Sequence, residues 1–272
     1  MEPRLQRRIQ RHGWDLASTD YELLWQRQFA LSHARLLSAV APQPGERIVD
    51  VACGTGLLAL PCAGAVGTRG SLLGIDLSDR MVEAARCRAR EAGIGNAAFM
   101  RMDAECLDLP EASFDAALCG FGFMYMPDPR RALEEMKRVL RPGGRIGLAV
   151  WGERGRCAWS PMFPIVDAEV ASDVGPLFFR LGDRDALAEL CAQAGLETVD
   201  EQRFTVDLNY VDADEACDAC FTAGPVALAW SRFDARTRER VRARYLAAIE
   251  QWRRGPGYRM PSEVVVVMAR LP

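Results

Sequence analysis

The sequence predicts an α/β protein with a doubly wound, mostly parallel sheet of seven strands. Three observations lead there. Short runs of branched apolar residues alternate with amphipathic helical patterns from Arg47 to Trp151. The first run, "VDVACGTGLLA" (Val49 to Ala59), breaks into two glycines and passes straight into a helical pattern. The last run, "EVVVVMARL", has strand length and falls far short of the roughly 20 residues a membrane span needs.

The elements follow in order. Residues 1–20 are polar and basic. Tyr21 to Val40 places Leu23, Leu24, Phe29, Leu31, Leu36 and Leu37 at helical spacing, so residues 1–44 form an N-terminal helical cap. "APQPGER" is a turn. Arg47 to Ala52 is a buried strand and Gly56 to Val66 a helix. Ser71 to Ile75 is a strand, and Asp79 to Ala92 a helix with Ser78 at its N-cap. Ala97 to Met102 and Ser113 to Cys119 are strands three and four. Pro129 to Leu140 is a helix that Pro142-Gly143-Gly144 stops, and Arg145 to Trp151 is strand five.

Beyond Trp151 the rhythm changes. Cys157 to Leu181 is rich in Pro, Phe and Trp and reads as a loop or helix covering the sheet. Asp183 to Ala194 is a helix closed by Gly195, Glu197 to Val206 a strand, and Ala213 to Trp252 mostly helical. Residues 45–272 then make one unit, with insertions at about 152–182 and 210–258. The second insertion precedes the last strand.

Composition narrows the function. The chain has 272 residues and a formal net charge of -3, with no basic run beyond its arginine-rich first dozen residues; a nucleic-acid partner is not expected. No signal segment opens it, and nine scattered cysteines suit a reducing cytoplasm. Cys217 and Cys220 have no second pair and no nearby histidine, so they read as two positions on one helix face rather than a zinc site. No metal is expected, and a homodimer is an open option.

Open α/β sheets bind ligands beyond the carboxyl ends of their strands. Gly54 and Gly56 permit positive φ and present no Cβ, so a ligand can lie against the backbone there. Gly54, Gly56 and Ala59, with Asp76 further on, match a dinucleotide fingerprint. S-adenosylmethionine fits the same loop. Asp50 favours the second ligand, since it would repel a pyrophosphate and attract an ammonium.

"VDVACGTG" resembles motif I of the class I S-adenosylmethionine-dependent methyltransferases, in the branch typified by quinone-biosynthesis (UbiE) and type 11 enzymes. "GIDLSDRMVEAAR", "FMRMDAECLDLPEASFDAALC" and "ALEEMKRVLRPGGRIGLAVW" resemble the family's later segments, in order, over about residues 45–151. The resemblance implies a Rossmann-like fold with S-adenosylmethionine as cofactor. It implies that Asp76, followed by Leu77, meets the ribose, that Asp103 and Ala104 meet the adenine, and that Asp50 lies near the ammonium. Tyr21, Ala52, Gly54, Gly56, Met81, Cys119 and Gly120 complete the expected cofactor site. Cys53 packs rather than acts as a nucleophile, because nothing basic flanks it.

Methyl transfer needs an enclosed, dry site more than a dedicated nucleophile. An acceptor that must lose a proton needs a base. Only His12 and His33 exist. The resemblance implies that the N-terminal segment folds over the cofactor, which makes His12, with Trp14, Asp15 and Tyr21, a candidate at the cavity mouth; His33 lies mid-helix. The resemblance implies that "GFGFMYMPDP" supplies acceptor-side residues, with Gly120, Phe121 and Gly122 beside the methyl, Tyr125 a second catalytic candidate and Met126 beyond it. Trp151, Trp159, Met162, Phe163, Phe178 and Phe179 supply a hydrophobic acceptor pocket. The expected reaction is methyl transfer to a small hydrophobic or aromatic acceptor, quinol or secondary-metabolite-like, on oxygen, carbon or nitrogen. The alternatives are an NAD-dependent oxidoreductase, or a methyltransferase scaffold doing non-methyl chemistry such as a cyclisation.

Overall fold

The computed structural model describes residues 3–170 and 178–272. Two helices come first, α1 (Pro3–Ala17) and α2 (Tyr21–Val40). The alternating part follows as β1 (Arg47–Val51), α3 (Ala59–Val66), β2 (Ser71–Asp76), α4 (Asp79–Glu91), β3 (Ala97–Arg101), β4 (Phe114–Gly120), α5 (Pro129–Val139) and β5 (Leu140–Trp151). The remainder is α6 (Met162–Val170), α7 (Ala186–Gln193), β6 (Glu197–Tyr210), α8 (Ala213–Phe221), α9 (Ala227–Arg232), α10 (Ala235–Ile249), β7 (Arg253–Arg254) and β8 (Gly257–Arg270).

Local chemistry explains the helix starts. Ser78 accepts from the Met81 N–H at 3.1 Å and caps α4, as the sequence predicts. Asp128 caps α5 through the Arg131 N–H, with Pro129 at the first helical position. Asp212 and Asp234 cap α8 and α10 in the same way.

The sheet order is β3-β2-β1-β4-β5-β8-β6, with β1 to β5 parallel and β8 antiparallel to both β5 and β6. The chain winds outward from β1 to β3, then returns to β4 on the other side of β1. Right-handed crossovers put α3 and α4 on one face and α5 on the opposite face. The β1–β4 boundary is therefore a topological switch point, where a crevice opens at the strand tips.

Several boundaries differ from expectation: β5 begins at Leu140 and runs through Pro142-Gly143-Gly144 instead of starting at Arg145, and β8 begins at Gly257, ahead of the expected apolar run. The polar, basic residues 1–20 are mostly helix, since α1 fills most of them. Helix α3 begins at Ala59, because Gly54 and Gly56 both have positive φ and turn the chain before it. The expected strand to Val206 continues to Tyr210, paired with β8 from Glu197↔Arg270 to Tyr210↔Tyr258. The two-residue β7 pairs with β8 and makes eight strands where seven were expected. In the covering segment Cys157–Leu181, residues 171–177 lie outside the described residues, and α6 occupies part of the rest.

Helix α2 positions the site. It lies against β5, β6 and β8, with Leu24, Trp25, Phe29, Leu36 and Val40 buried. Arg145 ties its end down, donating to Val40 O at 2.6 Å and forming a two-pronged pair with Glu46 at 2.8 and 2.6 Å. Gly147 on β5 permits the approach. A Cβ there would overlap Val40 Cγ2 and come within 2.9 Å of Leu36 Cδ1. Gly147→Ala is expected to destabilise the protein by about 1–3 kcal/mol through overpacking. Gly64→Ala, within α3 where a Cβ meets nothing within 4 Å, is expected to stabilise by about 0.5–1 kcal/mol. Denaturant midpoints at unchanged slope would check both.

Candidate active site

The crevice at the switch point holds a cavity of about 1000 Å³, measured with its mouth. Its walls come from five strand tips and its roof from α1 and α2. The tips of β1, β2 and β3 bring Ala52 and Gly54, Asp76 and Leu77, and Asp103 and Ala104, with Met81 from α4 beneath. The tips of β4 and β5 bring Gly120, Phe121, Tyr125 and Trp151, with Trp159 from the insertion. The cavity is thus polar at one end and aromatic at the other.

Backbone strain concentrates at this seam. Ala52 has φ 58° and Phe121 φ 63°, in the left-handed region that non-glycine residues avoid. The β1 and β4 loops cross so closely that a Cβ on Gly122 would overlap Ala52 Cβ. Gly54, at φ 55°, is different. A Cβ there would meet only Tyr21 Cε1, at 3.8 Å, so the missing side chain leaves open cavity. Gly56, also a predicted ligand residue, lies outside the cavity wall. Its Cβ position faces Ala85, Leu60 and Phe99, so it serves the turn rather than the crevice.

Asp76 joins the first two strand tips. Its carboxylate accepts from the Gly54 N–H and the Ser78 N–H, both at 2.9 Å. Burial nonetheless pushes its pKa up to about 6, against the lowering effect of those hydrogen bonds. Asp50 is 1% exposed, and neither of its oxygens has a hydrogen-bond partner among the described residues. Burial, and then the nearby Asp76 charge, push its pKa well above the usual carboxylate range. It lies outside the large cavity, in a smaller one of about 280 Å³ shared with His33, Cys53 and Leu58. Tyr21, Ala52, Gly54 and Gly120 line both.

The roof is a network. Arg7 on α1 meets Asp103 at 3.1 Å and the buried Glu105 at 2.6 Å. Asp15 accepts from Ser78 Oγ at 2.6 Å, and Trp14 packs edge-on against Tyr21 and Tyr125. His12, expected at the mouth, is exposed and absent from the cavity wall. Two residues along a helix turn the side chain by about 200°, so Trp14 faces in and His12 faces out. Tyr125 does line the cavity, and burial pushes its phenol pKa well above the ordinary tyrosine range, which favours the protonated form. Cys119 is fully buried and absent from the wall, so its side chain packs while Gly120 faces the cavity. Burial likewise raises Cys53 and keeps it a thiol.

The aromatic end is continuous. Phe29 stacks on Trp25 and Phe121 at 4.9 and 4.4 Å between centroids, Phe121 meets Trp151 at 4.8 Å, and Trp151 meets Trp159 at 5.3 Å. Met162, Phe163, Phe178 and Phe179, expected in the pocket, are buried behind it as core. The sequence reading missed Arg7, Gln10, Trp25 and the Ala223–Pro225 loop, all of which line the cavity. A basic residue at every third or fourth place before Trp14 was the available signal for Arg7. Cys217 and Cys220 are buried on α8, with the Cys220 thiol 3.0 Å from Tyr245 Oη.

The family described as "Methyltransferase domain" matches residues 48–144. The chain is 37% identical over 134 residues to aklanonic acid methyltransferase DauC of Streptomyces sp. strain C5, covering 49% of this chain and 61% of that one. It is 27% identical over 184 residues to the ubiquinone/menaquinone biosynthesis C-methyltransferase UbiE of Shewanella frigidimarina, covering 62% and 73%. It is 38% identical over 114 residues to nocamycin O-methyltransferase of Saccharothrix syringae, covering 42% and 41%.

Solved structures share the fold. A Bacillus halodurans protein matches with TM-score 0.64 at 19% identity, over 89% of this chain and 99% of its own. The [4+2]-cyclase SpnF matches at 0.62 and 24%, over 91% and 82%.

The residues present fit the cofactor. An unpartnered buried acid suits an ammonium, and the open Cβ position of Gly54 suits a ligand laid on the backbone. Asp50→Asn tests the electrostatic part. A carboxyl with a raised folded-state pKa binds its proton more tightly when folded, so it costs stability as pH rises above its ordinary value of 3.8. The variant is expected to be more stable than the parent protein at pH 8, by on the order of 1 kcal/mol. That gain should shrink as pH falls toward 4.5, read by ligand-free thermal unfolding.

Proposed function

We propose that the protein transfers a methyl group from S-adenosylmethionine to a small hydrophobic or aromatic acceptor. The observation that carries this is one cavity whose acid-tipped end opens into an aromatic chamber at β4 and β5. Bound S-adenosylmethionine would supply a methyl group already activated on a sulfonium. Asp76 would hold the ribose, Asp103 and Ala104 would face the adenine, and Leu77 and Met81 would pack against the adenosine. Gly54 and Gly120 leave room for the chain to the sulfur. Tyr21 would close over that region, and the aromatic wall would orient the acceptor and exclude water.

Residues 1–44 act as the cap in this reading, and residues 45–272 as the methyltransferase unit with its insertions. Relatives named for aklanonic acid, nocamycin and ubiquinone/menaquinone support an acceptor of quinol or secondary-metabolite kind. The working place would be the cytoplasm, with a free small molecule rather than nucleic acid as partner. No helix among the described residues is long and apolar enough to cross a membrane.

S-adenosylhomocysteine is expected to raise the melting temperature of the protein, and NAD(H) to leave it unchanged. The opposite pattern would favour an oxidoreductase. Asp76→Ala should weaken S-adenosylhomocysteine binding by about 1.5–3 kcal/mol, the range of a hydrogen bond to a charged group. Candidate quinols and polyketides incubated with methyl-labelled cofactor give the direct assay. Cofactor binding with no label in any product would favour non-methyl chemistry.

A further inference from the structure

The aromatic end of the large cavity holds a phenol that nothing described in the protein uses. The tips of β4 and β5, helix α2 and the Ala223–Pro225 loop bring no charged side chain to the wall there. Tyr125 closes a single 3-10 turn, Phe123–Tyr125, whose first two residues are buried and whose third opens on the cavity. Its N–H donates to Gly122 O at 3.1 Å, and Gly122 has no room for a Cβ beside Ala52, so the turn is fixed to the seam. Trp14 meets the Tyr125 ring edge-on at 5.0 Å and Phe178 meets it at 5.1 Å, so the roof and the insertion hold it from two sides. Among the described residues its hydroxyl has no hydrogen-bond partner. Trp25 Nε1, by contrast, is committed to Ala223 O at 3.0 Å.

A fixed phenol in a dry, uncharged chamber donates to an oxygen, and most strongly to one that carries charge. Among the described residues no histidine and no carboxylate lines this end, so nothing there takes a proton from the acceptor. We propose that Tyr125 binds the acceptor itself, its hydroxyl donating to a ring hydroxyl that arrives already ionised, as a phenolate or enolate. The inference rests on the methyl-transfer reading above and deepens it by naming the acceptor's class: an acidic hydroxyl on a flat ring. The wall that Phe29, Phe121 and Trp151 make suits such a ring. A protonated amine is disfavoured, because it has no lone pair for the phenol proton. Burial favours the protonated Tyr125 phenol, which leaves it the donor and the acceptor's oxygen the seat of the charge.

Equilibrium dialysis on the intact protein, saturated with S-adenosylhomocysteine at about pH 8.5, tests this with two probes of one shape. 4-Nitrophenol is an oxyanion there, and 4-nitrotoluene puts a methyl group in place of the charged oxygen. Tyr125→Phe is expected to cut 4-nitrophenol affinity about tenfold to a hundredfold and to change 4-nitrotoluene by less than about threefold. Equal losses for both probes would mean a merely structural tyrosine and would overturn the proposal. A spectrum of the bound probe needs no variant to fold. The nitrophenolate band moves to longer wavelength in a dry site where no donor reaches its oxygen. It should keep its position in water when bound to the parent protein, and move to longer wavelength in Tyr125→Phe. A band already moved in the parent would overturn the proposal. So would 4-nitrophenol that fails to bind the parent, or binds the variant equally well, while the cofactor reading stands. A parent protein that does not bind S-adenosylhomocysteine would overturn the methyl-transfer reading itself and this inference with it.

Discussion

The site is organised around two desolvated acids on neighbouring strands. Asp50 and Asp76 stand at the ends of β1 and β2, both buried, and no cationic side chain among the described residues bonds to either. A carboxylate in that position is expensive unless something meets it. Asp76 is partly compensated by two backbone N–H groups, one of which fixes the glycine loop. Among the described residues nothing compensates Asp50. Interaction energy withheld from the free protein is thereby available to a ligand with a cation at one acid and hydroxyls at the other. The same arrangement selects, because a ligand lacking either group leaves an acid buried and unpaired.

The roof is held by weaker forces than the sheet. Arg7, Arg11 and Asp15 attach α1 to Asp103, Glu105, Asp79 and Ser78. Partly exposed ion pairs are worth about 0–1 kcal/mol each, whereas the strands beneath are packed with fully buried valines and leucines. Helix α1 therefore belongs to the part of the molecule that opens first. Its Arg7 occupies Asp103, the residue expected to meet the adenine, so cofactor entry and roof attachment draw on the same carboxylate. Arg88 steadies the other side, bonding Thr55 O at 2.9 Å and Glu22 at 2.8 Å, which links the glycine loop to α2.

Periodicity and turn chemistry carried the fold because they are local. The run at Val49 to Ala52, the Ser78 cap and the Pro129 start each act within a few residues, and the structure places elements there. The length of β6 was not legible, since its outer half, "DLNY", reads as polar sequence and becomes strand only by pairing with β8. Of the expected site residues, those at strand tips line the cavity, because the doubly wound order brings successive tips together. His12, Gly56 and Cys119 stand elsewhere for separate reasons: helix phase, a turn and inward packing. Asp50 and His33 needed three dimensions. Nothing in a one-dimensional pattern shows that a mid-helix histidine, 17 residues upstream of an acid, opens on the same small cavity.

The aromatic end of the cavity constrains the acceptor further. Among the described residues, the side-chain polar groups there are phenols and indole N–H groups. The Tyr21 and Tyr125 phenols are held protonated by burial, and Trp159 Nε1 is buried without a partner. Trp25 Nε1 is already committed to Ala223 O at 3.0 Å. A set of donors around a dry aromatic chamber can orient an oxygen lone pair but does not remove a proton from a weakly acidic alcohol. On the proposed reaction, the chain contributes alignment and exclusion of water. The acceptor must then bring its nucleophile nearly ready, as an acidic enol, phenol or carboxylate does. That division of labour suits a sulfonium donor, whose positive charge is itself stabilised by an approaching anion in a medium of low dielectric.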